Sequence, residues 1–381
     1  MPKTIRILAD ATLPGIENLF DKDFSLRTYE DHNELLSLIP SHDVLVCRST
    51  LKVDEQLLKN TPIQCVATAS SGIDHIDLTY LKQHNIVLFD AKGSNAQAVA
   101  DYVVATIAAL VTMDKLPGKK AGVIGVGLVG ACVVDRLRTL NFDVLCCDPL
   151  RAQKDHDYVY HALNELADCD LLCIHPNLHQ DPSFPSYKLI NKNFLDQLKS
   201  NVTIINAARG GVIDETALLA IKKPITYCTD VFWNEPEIDP RIIDFATLCT
   251  PHIAGHTAEA KIGAVVQLGQ QIKQYYAVET SRRATCSQDP DPNRIREQLA
   301  AHQNLKCQQT LEIPEECDTM SQKNVNQIWA EHILTVYNPL TDTHLLKRNP
   351  DKKSAFLTQR KAHYRQQQLD YPPQVILTHP S

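Results

Sequence analysis

The sequence predicts an α/β protein with two doubly wound parallel-sheet domains, followed by a small C-terminal α+β unit. Three observations carry that prediction. Short apolar runs alternate with helical stretches as far as about residue 280. A glycine-rich turn joins one of those runs to a helix. After Glu279 the texture changes to a polar, proline-containing stretch. The chain has 381 residues, 44% of them hydrophobic and 22% charged, which is globular composition with room for two or three domains.

The strand-like runs are IRILAD, DVLVCRS, IQCVATA and IVLFDA, then AGVIGVG, DVLCCD, DLLCIHP, VTIINAA, TYCTDVF and TLCTP. Many are continuous and rich in Val, Ile and Leu, as strands buried on both faces read, and their alternation with helices implies parallel pairing. They fall into two groups around a long apolar helix expected near Asn95 to Val111. A second helix, expected from about Thr257 to Val278, returns to the first group. The first domain is therefore expected to be discontinuous, residues 1–95 plus 257–282, and the second to span residues 96–256. The cleft between two such domains is the default place for a small ligand. The run SRRATCSQDPDPN reads as a linker. Residues 285–381 then hold two amphipathic stretches, VNQIWAEHILTVY and SAFLTQRKAHYRQQ, and two strand-like ones, CQQTLEI and QVILTH.

Charge excludes some partners. A net charge of −7 argues against nucleic acid and anionic membrane, which call for a basic face. The longest apolar stretch, VADYVVATIAALVTM, is too short for a membrane span and carries Asp101. TIRILAD opens the chain with no signal-peptide pattern, so a cytoplasmic protein is expected. The twelve cysteines lack metal-knuckle spacing and read as buried reduced thiols. His161, His175 and His179 lie near Asp155, Asp157 and Asp181 without any recognisable metal-ligand spacing, so no metal is expected.

Gly125, Gly127 and Gly130 form a GxGxxG turn between the strand AGVIG and the helix LVGACVVDRLRTL. Glycine permits the tight turn and a close backbone approach, while the helix start offers free N–H groups to a pyrophosphate; this is the Rossmann-like arrangement. Asp148 ends the next strand, 18 positions beyond Gly130. A carboxylate there accepts from ribose hydroxyls and repels a 2′-phosphate, which favours NAD over NADP.

Three residues in order, Arg209 in INAARGG, Glu235 in WNEPE and His252 in TPHIAGH, fit the oxidation of a 2-hydroxy acid. An arginine holds a carboxylate through two parallel hydrogen bonds. An imidazole takes the hydroxyl proton, and an acid fixes its tautomer and steadies its cation. A phosphorylated substrate would need a further cation. Arg48 is the first candidate; behind it stand Lys347, Arg348 and Arg360 of the C-terminal region, which are expected to reach in from a partner subunit.

Together these motifs resemble the D-isomer-specific 2-hydroxyacid dehydrogenases, and the likeness runs from ILADATLPGIENLF through INAARGGVIDETALL and TPHIAGHTAEAK to FLTQRKAHYRQ. It implies catalytic roles for Arg209 and Glu235 and proton transfer by His252. Substrate-binding positions are implied at Ser49, Ser70 and His256, and NAD-binding positions at Asp148, Asp230 and Gly255. The last hundred residues resemble the dimerisation domain of one branch of the family, which implies a homodimer. That branch implies oxidation of 4-phospho-D-erythronate in pyridoxine biosynthesis. His256 stands where a tyrosine is usual, and Pro176 where a threonine is usual. The alternatives are another dehydrogenase of the family, acting for example on 3-phosphoglycerate, and an NAD(H)-sensing interaction protein without catalysis.

Overall fold

The computed structural model describes residues 4–115, 118–284 and 322–362. The chain divides into two units, residues 1–94 with 260–310 and residues 95–259 with 311–381.

The first unit holds a five-stranded sheet: β1 (Ile5–Asp10), β2 (Phe24–Tyr29), β3 (Val44–Cys47), β4 (Cys65–Thr68) and β5 (Val87–Asp90). The strands lie in the order β2-β1-β3-β4-β5 and pair in parallel. Successive side chains serve opposite faces. Leu8, Leu45 and Val66 pack with Leu35 and Leu81 on one side. Ile7, Val44, Val46 and Ala67 pack with Ala264, Leu268 and Ile272 on the other. Those last three belong to the returning helix, Ala258–Ala284. Sequence reading missed β2, because this edge strand is half exposed and its run FSLRTY is not continuously apolar.

The second unit holds a six-stranded parallel sheet: β6 (Lys120–Ile124), β7 (Asp143–Cys147), β8 (Leu171–Ile174), β9 (Thr203–Asn206), β10 (Thr226–Thr229) and β11 (Leu248–Cys249). Its order is β11-β10-β9-β8-β6-β7. The strand order reverses between β6 and β8, and such a switch point opens a crevice at the carboxyl ends of the strands. The helix Ala96–Thr112 is buried almost all round, which explains its uniformly apolar sequence.

The C-terminal segment, expected to be α+β, is helical where it is described: Gln322–Val336, Pro339–Arg348 and Lys352–Ala362. The strand-like runs CQQTLEI and QVILTH lie outside the described residues. Trp329, Ala330, Ile333 and Tyr337 join the core around the helix Ala96–Thr112. The Thr343 hydroxyl accepts from the Cys249 N–H at 2.9 Å and donates to the Cys249 carbonyl at 3.0 Å. It thereby satisfies backbone groups of the edge strand β11. The described cysteines are free, and burial pushes the Cys47 and Cys147 thiols up to about 12, far from reactive thiolate. Among the described residues no helix is long and apolar enough to cross a membrane.

Trp329 is 5% exposed, so Trp329→Ala is expected to cost about 3–5 kcal/mol of stability. Urea denaturation checks it; a loss below about 1 kcal/mol would show that this helix is not part of the core.

Candidate active site

The glycine turn after β6 is shaped by what surrounds it. Gly125 has a φ of 81°, and a side chain there would collide with the Pro176 backbone. A Cβ at Gly130 would lie 2.0 Å from the Gly125 carbonyl oxygen, whereas one at Gly127 would meet nothing. Two glycines therefore close the turn, and the third leaves an open cradle. Gly127 also caps the helix Leu128–Thr139, with no side chain occupying the N–H groups there. This arrangement suits a pyrophosphate.

Asp148 is tied into the same turn. It accepts from the Val126 N–H at 2.8 Å and the Arg151 N–H at 2.9 Å. Each carboxylate oxygen keeps further acceptor capacity for a ribose hydroxyl. Arg151 is held away by Asp155 and the Val126 carbonyl, and lies over the Tyr158 ring. On the facing strand end, His175 is buried with neither ring nitrogen hydrogen-bonded, and burial pushes it down to about 3, so the ring is neutral.

His252 and Glu235 meet: Nδ1 lies 2.7 Å from Oε2. The His252 backbone is left-handed, with a φ of 58°, a conformation that few residues other than glycine adopt. The fully buried Asp230 holds it there. Its carboxylate accepts from the Thr250 hydroxyl at 2.6 Å and from the N–H groups of Ile253 and Ala254 at 2.8 and 2.9 Å, while its carbonyl accepts the His252 N–H. Asp230 thus braces the histidine loop, a contact the sequence did not indicate. Thr250 is in turn bonded to the Tyr102 hydroxyl at 2.8 Å. Glu235 takes the Phe232 N–H on its other oxygen. Burial alone would raise Glu235, but the charge and hydrogen bond of His252, the Phe232 N–H and Arg360 outweigh it and hold the acid below its ordinary range.

Arg209 precedes the turn Gly210–Val212, and its Nη1 donates to the Ala208 carbonyl at 2.9 Å. The glycines after it are steric necessities. A Cβ at Gly210 would strike the Phe232 carbonyl, and one at Gly211 the Trp233 ring. The arginine loop therefore runs against the loop that carries Glu235. Gly255 similarly leaves room for the Asn95 side chain, and the His256 N–H bonds the Ile253 carbonyl.

In the first unit, Arg48 and Ser49 follow β3, and Ser70 follows β4. Arg48 Nε donates to the buried Asp10 at 2.8 Å across the switch point between β1 and β3. The Ser70 hydroxyl accepts the Gly72 N–H at 3.2 Å. Lys261, which the sequence did not single out, is half-buried in the returning helix. Burial and then the nearby Arg48 charge push its ammonium below the usual lysine value. Lys347 caps the Ala246 carbonyl at 2.5 Å, and Arg360 lies on Glu235 of the same chain.

This geometry describes a nicotinamide-linked dehydrogenase, and the comparisons agree. Residues 95–254 match the D-isomer specific 2-hydroxyacid dehydrogenase, NAD binding domain. The chain is 43% identical over 360 residues to the erythronate-4-phosphate dehydrogenase of Legionella pneumophila strain Philadelphia 1, covering 94% of each. It is 39% identical over 285 residues to that of Coxiella burnetii strain RSA 331, covering 73% of this chain and 76% of the relative. Among solved structures, D-lactate dehydrogenase from Aquifex aeolicus, complexed with NAD and lactic acid, shares the fold with a TM-score of 0.59 at 21% identity, over 75% of this chain and 100% of that one. The chain belongs to the D-isomer-specific 2-hydroxyacid dehydrogenases and, within them, to the erythronate-4-phosphate dehydrogenase group.

Glu215 also borders the site, accepting the Trp233 N–H at 2.8 Å. Burial raises it to about 7; the Trp233 bond opposes this, and the charges of Asp239, Glu235 and Asp214 add to it. The folded state then holds this proton more tightly than the unfolded chain, so stability is lost as pH rises from the ordinary value of 4.5 to about 7. Glu215→Gln is expected to lose less thermal stability than the parent between pH 5 and 8. An equal loss in both proteins would assign the titration elsewhere.

Proposed function

We propose that the chain oxidises 4-phospho-D-erythronate to (R)-3-hydroxy-2-oxo-4-phosphooxybutanoate with NAD, in pyridoxine biosynthesis. We place it in the cytoplasm, as a homodimer through its C-terminal region. The observation that carries the chemistry is the His252–Glu235 contact at 2.7 Å, in a chain whose relatives over 94% of its length bear the corresponding name.

The Gly125–Gly127–Gly130 turn would hold NAD, which would supply the hydride acceptor, with Asp148 at the ribose, Gly255 beside it and Asp230 acting through the loop it braces. Arg209 clamps the substrate carboxylate. His252 has Nδ1 committed to Glu235, so Nε2 takes the C2 hydroxyl proton as hydride leaves C2. Glu235, held ionised, stabilises the imidazolium that forms. Ser49, Ser70 and His256 hold the remaining hydroxyls, and the backbone of Ser70–Ser71–Gly72 helps with anionic oxygens. Arg48 and Lys261 bind the phosphate. Arg48, which also bonds Asp10, and Lys261 are near enough in one unit for their charges to interact, and two such cations suit a dianionic group.

Purified protein given 4-phosphoerythronate is expected to reduce nicotinamide, with a 2-oxo acid present to recycle tightly held cofactor. The rate of oxidation should fall at low pH, because His252 must start neutral. His252→Ala should lose roughly 10²–10⁴-fold in rate. NAD binding without turnover on any hydroxy acid would instead favour the sensing protein, and turnover on 3-phosphoglycerate alone the other dehydrogenase.

Arg48→Gln and Lys261→Gln are each expected to raise KM for the phosphorylated acid more than for unphosphorylated erythronate. Equal effects on both substrates would remove these cations from the phosphate site.

A further inference from the structure

The C-terminal helix Lys352–Ala362 is built against the loop that carries Glu235. Three of its residues touch that loop at one-turn intervals or less. Lys353 pairs with Glu237. Phe356, fully buried, stands edge-on to the Phe232 ring with centroids 6.1 Å apart. Arg360, one turn on, reaches Glu235 Oε2 with Nη1 at 3.6 Å, while its guanidinium carbon lies 5.9 Å from the Phe356 ring centre. The oxygen that Arg360 approaches is the one that receives His252 Nδ1. One carboxylate oxygen therefore faces two cation-forming groups from different elements.

We propose that Arg360 is a positioning residue for proton transfer: its fixed charge on Glu235 keeps His252 in the neutral, proton-accepting form, and this makes the C-terminal region part of the active site of its own chain. The inference rests on the reading of His252 as the proton-transferring group. The physical reason is competition. A lone Glu–His pair favours imidazolium, because the carboxylate charge is spent on it alone. A guanidinium on the same oxygen draws on that charge and repels the imidazolium directly, and it never deprotonates. Oxidation of a hydroxy acid needs the neutral ring first, so the bias acts in the productive direction. Arg209, on the neighbouring loop, donates to the Ala208 carbonyl, and the other charged groups shown near the pair are acids. Asp230 is enclosed by the Thr250 hydroxyl and two backbone N–H groups, Glu215 is raised by burial, and Glu237 is paired with Lys353. Among the described residues, Arg360 is the cation shown against Glu235 other than His252 itself.

The test is Arg360→Gln and Arg360→Lys in the full-length protein. Histidine side-chain NMR follows the His252 titration in the resting protein, assigned by its loss in His252→Gln. In Arg360→Gln the His252 midpoint should rise by about half to one pH unit, the size expected of a partly exposed charge at this separation. The acid limb of hydroxy-acid oxidation should move by the same amount, a loss of roughly three- to ten-fold in rate below the midpoint, with little change at high pH. Arg360→Lys, which keeps the charge, should stay close to the parent. The proposal is overturned if the Gln variant leaves the midpoint where it was, or if Gln and Lys variants shift alike, which would make packing rather than charge the cause. The NMR titration needs no substrate, so its result stands apart from whether 4-phosphoerythronate is turned over.

Discussion

The geometry of the candidate site depends on one buried carboxylate. Asp230 is 1% exposed and sits at the end of β10, where it gathers the Thr250 hydroxyl and the N–H groups of Ile253 and Ala254. Burial raises its pKa, and each of those donors works against the rise, as does the nearby His252. A buried charge is tolerated only where donors converge on it in this way. The same bonds hold the loop in the left-handed turn at His252. Without them two N–H groups would be orphaned, each at a cost of about 1–3 kcal/mol, and the imidazole would lose its aim at Glu235.

Close backbone approach is the second constraint. Gly125 lies against Pro176, Gly130 against Gly125, Gly210 against Phe232 and Gly255 against Asn95. The Gly130 contact closes the turn after β6 on itself, the others bring separate segments together, and none leaves room for a Cβ. These glycines set how near the arginine loop comes to the acid loop, and how tightly the turn after β6 closes. Gly127 differs, because the space beside it is open. The glycine string thus contains two kinds of residue, packing glycines and one that clears a ligand surface.

Much of this was legible in the chain. Strands buried on both faces write themselves as continuous apolar runs, and ten of the strands were read that way. The exception, β2, is an edge strand with alternating exposure. Arg209, Glu235 and His252 stood out because hydroxy-acid oxidation needs those three functional groups and the local sequences place them after strands. Lys261 and Arg360 were harder to read. Lys261 is one lysine among many until the returning helix sets it beside Arg48, and Arg360 reads from the sequence as one of several candidate phosphate cations. The role first considered for Arg360 was phosphate binding, whereas the structure puts it on Glu235 of its own chain.

The sequence by itself determined the class of fold and the nicotinamide preference and pointed to the proposed reacting groups, because these depend on local periodicity and on residue types that few other chemistries require. Only the tertiary structure decided which charges share an oxygen, which carboxylate braces a loop and which faces a ligand. Those are matters of a few ångströms between elements distant in the chain. Electrostatic and hydrogen-bond energies change steeply over such distances, and one-dimensional spacing carries no record of them.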